Sequence, residues 1–222
     1  MAKVQQPRKI VVVDDHPILR QGIVQMINDD PKLSVVGEAQ DVSEALQVIQ
    51  ETIPDLAVVD ISLKDSNGID LIKDIGIRWP KMPVLVFSMH DESFYAERVL
   101  RAGAKGYVTK GESAGKVIEG IHKILAGEIY ISDNLASKML QRIVGGTREK
   151  EGFPIDRLTD REFEVFGLIG EGVQTREIAE RLHLSVKTVE SHRENIKRKL
   201  NIENATELLQ RAIHWVKFER GA

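Results

Sequence analysis

KIVVVDDHPILRQG, residues 9–22, is the stretch that decides the fold of the first half of the chain. Its apolar run from Ile10 to Val13 is typical of a strand that is buried on both faces. Two carboxylates, Asp14 and Asp15, follow that run directly. A helical pattern then extends from residue 18 to residue 27, and a strand followed by a helix is the repeating unit of a parallel sheet.

The same alternation continues to about Gly127. Four more short runs are rich in β-branched residues, namely LSVVGE, DLAVVDI, PVLVFS and GYVTK. Between and after them lie amphipathic stretches at residues 42–49, 69–77, 94–102 and 114–125. The pattern predicts an α/β domain at residues 1–127, with a five-stranded parallel sheet that is doubly wound, with helices on both faces.

The remainder of the chain has a different composition. Residues 145–154, GGTREKEGFP, combine glycine, charge and proline, which favours a linker. We therefore expect residues 128–154 to be a linker with one helix at 134–144. Residues 155–222 have helical periodicity and no strand pattern, so the sequence predicts a second domain that is all-α.

Composition limits the classes of function. The 222 residues carry a net charge of -3 and include no cysteine. Disulfides and thiolate metal sites are thereby excluded, and any nucleic-acid surface must be local. Because no apolar run approaches the ~20 residues that cross a bilayer, we expect a soluble, cytoplasmic protein with no membrane partner.

Polar side chains end four of the five predicted strands. They are Asp14 and Asp15 after the first, Asp60 after the third, Ser88 at the fourth and Lys110 after the fifth. Because the carboxyl ends of parallel strands meet at one edge, these groups should converge there. Clustered carboxylates need cations nearby. A lysine together with Mg²⁺ would supply them, and such a site suits phosphoryl transfer.

Each of these residues has a simpler explanation when it is considered alone. Asp15 and Ser88 would be helix caps, Lys110 a solvated lysine, and Tyr107 a core aromatic. The common position of Asp14, Asp15, Asp60, Ser88 and Lys110 at one sheet edge favours a site over these alternatives.

Residues 9–126 resemble the receiver domain of two-component response regulators, which has a CheY-like doubly wound fold. The segments VVDDHP, VVDISLKDSNGIDLI, VLVFSMHDE and RAGAKGYVTKGE carry the resemblance. It implies that Asp60 accepts a phosphoryl group, and that Lys110 and Ser88 contact that group. It also implies that Tyr107 turns inward on activation. The implied Mg²⁺ ligands are Asp14, Asp15, Asp60 and the backbone carbonyl of Ser62.

One departure from the receiver pattern follows the lysine. Many receivers have a proline there, often after a cis peptide bond, whereas this chain has Gly111. The sequence leaves the geometry of that peptide bond open.

The C-terminal segment begins with the signature of a helix start. In LTDREFEVFGLIGEG, residues 158–172, Thr159 stands three residues before Glu162, as in a capping box, and Gly172 favours a helix end. The following segment, residues 175–200, has helix-turn-helix spacing, with Ser185 as the expected N-cap of its second helix.

That second helix sorts into two faces at 3.6 residues per turn. Val189, His192, Ile196 and Leu200 form the predicted core side, and Lys187, Ser191, Glu194 and Arg198 the opposite side. Residues 185–200 include five Lys or Arg and two Glu, a net charge of +3. An exposed helix of this charge suits the major groove of DNA, where Glu accepts from cytosine N4. The alternative is a solvated, charged helix.

Residues 158–200 are similar to the effector domain of LuxR/FixJ-type regulators, through LTDRE, EIAERL and KTVESHRENIKRKL. This resemblance, with the helix faces above, implies a set of DNA-contacting residues: Arg176, Lys187, Thr188, Glu190, Ser191, Glu194, Lys197 and Arg198. Relatives use the helix that corresponds to residues 204–218 to form homodimers. Its apolar face is equally compatible with simple core packing.

We expect a response regulator transcription factor that takes a phosphoryl group on Asp60 from a sensor histidine kinase or a small phosphodonor. It would then dimerise and bind double-stranded promoter DNA, with no enzymatic activity beyond its own phosphotransfer and dephosphorylation. Two alternatives are a hydrolase with an aspartate nucleophile and a DNA-binding protein that works without phosphorylation.

Overall fold

The structure is a computed structural model that describes residues 6–63, 67–90, 92–144 and 155–221. These residues form two compact units, which divide between Lys138 and Met139. Of the helices described, none is long and apolar enough to span a bilayer.

The first unit contains a five-stranded parallel sheet in the order β2-β1-β3-β4-β5. Its strands are β1 (Arg8–Val13), β2 (Leu33–Ala39), β3 (Leu56–Val59), β4 (Val84–Ser88) and β5 (Gly106–Thr109). Its helices are α1 (Pro17–Asn28), α2 (Val42–Thr52), α3 (Gly68–Arg78), α4 (Glu92–Ala102) and α5 (Ala114–Leu125). The predicted α/β receiver architecture is confirmed.

The central strands are buried because helices cover both faces of the sheet. All four residues of β3 are buried, and so are the last four of β1. Ile10, Val12 and Val58 share one core cluster with residues of α1 and α5. This packing holds the carboxyl ends of the strands in fixed register.

Backbone hydrogen bonds continue past the ends of the strands. The Asp14 N–H donates to Ala39 at 3.0 Å, and the Asp60 N–H donates to Val13 at 2.9 Å. The Lys110 N–H likewise donates to Ser88 at 2.7 Å. The residues that leave the sheet at this edge therefore start from anchored positions. Every peptide bond described is trans, including the one between Lys110 and Gly111.

The segment after Gly127 pairs with the sheet, which the prediction of a linker did not anticipate. Tyr130 bridges to β5, where its carbonyl accepts from Tyr107 and its N–H donates to Lys105, at 2.8 and 2.9 Å. Its ring occupies space left by a glycine, since a Cβ on Gly120 would lie 2.8 Å from it. The helix predicted at 134–144 is present as α6 (Asp133–Val144). The segment GGTREKEGFP lies outside the described residues.

The second unit is helical, as predicted. After a short 3₁₀ turn at Ile155–Arg157 come α7 (Asp160–Gly170), α8 (Thr175–Arg181), α9 (Val186–Leu200) and α10 (Ala205–Gly221). The capping box of Thr159 and Glu162 forms both of its hydrogen bonds. Ser185 caps α9 by accepting from the Thr188 N–H at 3.0 Å. Gly172 follows α7 with φ +83°, a conformation that glycine adopts without strain.

Helix α10 packs against α7. Leu208, Ala212 and Val216 are buried, whereas Leu209 is exposed. Trp215 lies edge-on to Phe163, with ring centroids 5.3 Å apart. Most of the apolar face of α10 therefore serves the core of this unit, and one exposed leucine lies outside that core.

Candidate functional site

A buried ion cluster lies at the carboxyl edge of the sheet. Asp14 and Asp60 are each 2% exposed. The Lys110 Nζ lies 2.6 Å from the Asp14 Oδ2 and 2.6 Å from the Asp60 Oδ2, and its side chain is 1% exposed. The alternative of a solvated lysine is therefore wrong, and one ammonium serves two carboxylates.

The carboxylates converge closely enough to share a cation. One ligand atom from each of Asp14, Asp15, His16 and Asp60 lies within 4.8 Å of all the others. A set of carboxylate oxygens is the kind of ligand that Mg²⁺ prefers, so these residues fit the predicted ion. Ser62 is near by, since its N–H donates to the Asp60 Oδ1 at 3.1 Å.

Asp15 is not a helix cap. Helix α1 has His16 at its N-cap position, without a side-chain cap hydrogen bond. The His16 N–H instead donates to the Asp14 Oδ1 at 2.8 Å, and its Nδ1 lies 2.7 Å from the Asp15 Oδ1. Sequence analysis did not select His16, although its position directly after the two acids was the available signal.

Burial and charge act against each other in this cluster. Burial raises the pKa of Asp60, and the Lys110 ammonium opposes that shift. Burial by itself would lower the pKa of Lys110, but Asp60 and Asp14 outweigh it and raise that pKa above its ordinary value. Lys110 therefore stays charged at neutral pH.

His90 joins the two predicted switch residues. Its N–H donates to the Oγ of the buried Ser88 at 3.4 Å, and its carbonyl accepts from the Tyr107 hydroxyl at 3.0 Å. The Tyr107 side chain is buried, so the ring points inward. Ser88 does not cap α4, which begins four residues later at Glu92.

The His90 ring makes its own contacts. Its Nε2 lies 2.7 Å from the Ser62 Oγ, and its ring centroid is 4.4 Å from that of Tyr95. Burial, with the Lys110 charge, lowers the pKa of His90 to about 4, so the ring is neutral at physiological pH. His90 was not predicted, because its contacts with Ser88 and Tyr107 are made by its backbone N–H and carbonyl, and backbone groups leave no residue-type signal.

Helix α9 of the second unit presents the expected polar face. Lys187, Glu190, Ser191, Glu194 and Arg198 are exposed, and Thr188 and Lys197 are half-buried. On the opposite side Val189, Ile196 and Leu200 are buried. His192 is only half-buried, so the core side is less complete than predicted. Arg176, on α8, is also exposed.

Several polar groups on α9 are engaged within the helix. The Ser191 hydroxyl donates to the Lys187 carbonyl at 3.0 Å, and the Thr188 hydroxyl lies 2.7 Å from that of Ser185. Lys197 pairs with Glu194 at 2.8 Å.

One ion pair and one hydrogen bond of Arg161 hold the helices of this unit together. The Lys199 Nζ lies 2.6 Å from Glu162, which joins the end of α9 to the start of α7. Arg161 contacts the buried Glu164 at 2.7 Å and donates to the Leu182 carbonyl at 2.6 Å. The contacts of Lys199 with Glu162 and of Arg161 with Leu182 join different helices, so no local pattern predicts them, whereas Arg161 and Glu164 have the i,i+3 spacing of a pair within α7.

Each of the two units matches a known protein family. Residues 10–122 match the response regulator receiver domain, and residues 156–212 match the luxR family of bacterial regulatory proteins.

Two relatives match over nearly their whole length. The chain is 32% identical to the transcriptional regulatory protein DegU of Brevibacillus brevis, over 94% of this chain and 95% of that protein. It is 33% identical to the DNA-binding transcriptional activator DevR/DosR of Mycobacterium tuberculosis, over 90% and 91%.

A solved structure of similar fold is RcsB from Salmonella enterica serovar Typhimurium, bound to promoter rprA in the presence of phosphomimetic BeF3-. Its TM-score is 0.60 and its identity 27%, with 92% of this chain and 98% of that chain covered. The chain therefore belongs to the response regulator transcription factors that combine a receiver domain with a LuxR-type helix-turn-helix DNA-binding domain.

Proposed function

We propose that Asp60 accepts a phosphoryl group and that its phosphorylation controls DNA binding by the second unit. The observation that carries this proposal is the buried Asp60 carboxylate, held 2.6 Å from the Lys110 ammonium at the carboxyl edge of the sheet. A carboxylate with a fixed cation beside it suits a reaction in which positioning and charge neutralisation supply most of the catalysis.

The transfer is a substitution at phosphorus. A carboxylate oxygen of Asp60 forms a bond to phosphorus while the bond to the donor breaks, and the donor keeps the electron pair. The donor is a phosphohistidine of a sensor kinase or a small phosphodonor. Lys110 then turns from the Asp60 carboxylate to the new phosphoryl oxygens, where its positive charge is needed.

Asp14, Asp15, Asp60 and the Ser62 carbonyl would hold Mg²⁺, which neutralises charge on the phosphoryl oxygens. The side chains are positioned for that by the backbone hydrogen bonds of Asp14 and Asp60 to neighbouring strands. The Lys110 ammonium meanwhile offsets the cost of burying the carboxylates of Asp14 and Asp60.

Ser88 and Tyr107 would report the phosphoryl group to the rest of the receiver. When the Ser88 hydroxyl donates to a phosphoryl oxygen, its contact with the His90 N–H changes. The His90 carbonyl holds the Tyr107 hydroxyl, so the loop before α4 and the aromatic ring respond together. The phosphoryl group thus shifts a pre-existing population toward the active state.

The output is a homodimer that binds double-stranded DNA with α9 in the major groove. Lys187 and Arg198, with Arg176 on α8, are exposed and would neutralise phosphates. Leu209, the exposed leucine of α10, is available for pairing two C-terminal units. The solved structure of RcsB bound to a promoter supports DNA binding by a chain of this family.

Phosphorylation of the Asp60→Asn variant tests the acceptor assignment. Wild type treated with acetyl phosphate and Mg²⁺ should gain one phosphoryl group that hydroxylamine removes, as expected of an acyl phosphate. Asp60→Asn should gain none. Asp70→Asn, which removes an exposed carboxylate on α3, is the control and should behave as wild type. Equal labelling of all three proteins would remove Asp60 from the proposal.

Salt dependence of DNA binding tests the assigned face of α9. Lys187→Ala should weaken binding to all sequences by a similar factor and reduce the salt slope by about 1, as expected for the loss of one phosphate contact. An unchanged affinity and an unchanged slope would show that Lys187 does not face DNA.

A further inference from the structure

The face of α9 that would enter the groove carries two carboxylates. Glu190 and Glu194 are 53% and 68% exposed, one helical turn apart. They lie on the same side as Lys187 and Arg198, opposite the buried Val189 and Ile196. Like charges at this spacing destabilise a helix slightly, and they face a polyanion when DNA is bound.

The hydroxyls on this face are poor candidates for contacts with bases. Ser191 donates its proton to the Lys187 carbonyl, and Thr188 is engaged with the capping residue Ser185. The two glutamates are the charged acceptors on this face, and they extend farther from the helix backbone than either hydroxyl.

Nearby cations reduce the electrostatic cost of these acids. Glu194 lies 2.8 Å from the Lys197 ammonium, and Glu190 lies 3.9 Å from the Arg193 guanidinium. Both cations are mostly buried, since the Lys197 side chain is 19% exposed and the Arg193 side chain 18% exposed. The glutamate is the more exposed member of each pair, so it is the more accessible to bases in the groove.

A carboxylate in the major groove needs a hydrogen-bond donor. The groove offers two kinds of donor, the N4 amino group of cytosine and the N6 amino group of adenine. Adenine also presents the N7 acceptor beside its donor, which repels a carboxylate. Cytosine is therefore the better partner for an acceptor that has no donor of its own.

We infer that Glu190 and Glu194 determine base specificity by accepting hydrogen bonds from the N4 amino groups of cytosines in each half-site. This inference rests on the proposed binding of DNA through α9. Four residues advance an α-helix by about 6 Å, close to two base-pair steps of ~3.4 Å each. The two cytosines should accordingly lie one to two steps apart.

Selection from random duplex DNA tests the inference, with the full chain treated with acetyl phosphate and Mg²⁺. Wild type should enrich cytosine at two positions of each half-site. Glu190→Gln should change the preference at one of them from cytosine to adenine, because glutamine donates to N7 and accepts from N6. Glu194→Gln should do the same at the other. Each variant should bind the wild-type site about tenfold more weakly.

The control is Glu177→Gln on α8, which removes an exposed carboxylate that is also paired with an arginine. It should leave the selected sequence unchanged. If both α9 variants select the wild-type sequence and bind all DNA more tightly, the glutamates only repel phosphates, and the inference is wrong. If wild type enriches no sequence at all, the proposed function itself fails.

Discussion

Lys110 is the residue on which the acidic edge of the sheet depends. Asp14 and Asp60 share its ammonium, and all three side chains are almost completely buried. An exposed ion pair contributes at most about 1 kcal/mol. Removal of one partner from a buried group is far more costly, because it leaves charge uncompensated in a poorly hydrated place.

Lys110→Met should therefore lower the free energy of unfolding by about 3 kcal/mol at neutral pH. Methionine keeps most of the stem length and removes the charge. Urea denaturation measures the change, with Lys73→Met as the control, since Lys73 is an exposed partner of Asp70 on α3. The control should change stability by less than about 1 kcal/mol. Equal effects of the two substitutions would contradict the electrostatic role of Lys110.

Asp30 gives the first unit a defined response to acid. The side-chain hydrogen bond with His122, at 2.7 Å, is the largest cause that holds the pKa of Asp30 below 3.8. A carboxyl whose pKa is depressed in the folded state stabilises the fold at pH values above its ordinary pKa of 3.8. That stability is lost as the pH falls through the folded-state pKa. Asp30→Asn should remove that part of the acid transition in pH-dependent unfolding measurements. An unchanged acid limb would show that the pair is not formed in solution.

Strand ends were the strongest residue-level signal in the sequence. The rule that parallel strands end at one edge placed Asp14, Asp15, Asp60, Ser88 and Lys110 together, and the structure brings them there. His16 was missed although it directly follows the two acids, whereas His90 was missed for a physical reason. The role of His90 depends on its backbone N–H and carbonyl, which are common to nearly all residues, and on a loop conformation that only tertiary packing decides.

At the scale of elements, α4 and the segment before α6 are tied by one hydrogen bond. Glu92, in the first turn of α4, accepts from the Ser132 N–H at 2.8 Å. The Ser132 Oγ in turn accepts from the Leu135 N–H at 3.2 Å, as a cap of α6. The start of α4 and the start of α6 therefore share a fixed geometry within the first unit.

Glu92→Ala should speed hydrogen exchange of the Ser132 amide about fivefold, since a net hydrogen bond contributes about 1 kcal/mol. Glu92→Gln keeps an acceptor oxygen and should preserve most of the protection. NMR-detected exchange at this amide gives the comparison. If alanine and glutamine variants exchange equally fast, the side-chain acceptor does not hold this segment.

Helices α7 and α10 cross closely because Gly170 has no side chain. A Cβ on Gly170 would lie 2.4 Å from the Ala212 carbonyl oxygen, so a methyl group must push the helices apart. Gly170→Ala should therefore destabilise the protein by about 2 kcal/mol, although alanine is the better helix former. Gly76→Ala, in α3 with nothing near its Cβ, should stabilise by about 0.5–1 kcal/mol. Thermal unfolding of both variants measures these changes, and a Gly170→Ala protein as stable as wild type would contradict the close crossing.

Hydrophobic periodicity was sufficient to predict the elements and their order. The five strands and the helices between them begin and end within a few residues of the predicted bounds. The bridge at Tyr130 was not predictable in this way, because a single paired residue has no period. It depends on space beside Gly106 and Gly120, which exists only after β5 and α5 have packed.

At the scale of the whole molecule, the net charge of -3 is the sum over two regions of unlike charge. The first unit collects acidic groups at one sheet edge, and the second presents a helix of net charge +3. In the proposed function, a phosphoryl group adds negative charge to the first unit and changes the DNA affinity of the second. Coupling free energies between sites are typically 1–3 kcal/mol, so a modest change in the receiver is enough to alter DNA affinity substantially.

The sequence also predicted different roles for the two units, since the first carries the carboxylate cluster and the second the helix-turn-helix spacing. It predicted less about specificity. Which bases α9 reads depends on how far each side chain extends from the helix and on which hydroxyl protons are already donated, and the engaged hydroxyls of Thr188 and Ser191 became visible only in the structure.

The most direct test of the central claim is the DNA affinity of the full chain before and after treatment with acetyl phosphate and Mg²⁺, at one fixed salt concentration. Wild type should bind its selected site about tenfold more tightly after treatment, and Asp60→Asn should not respond. Equal affinity of wild type with and without the phosphodonor, once phosphorylation of Asp60 has been verified, would contradict control of DNA binding by this site.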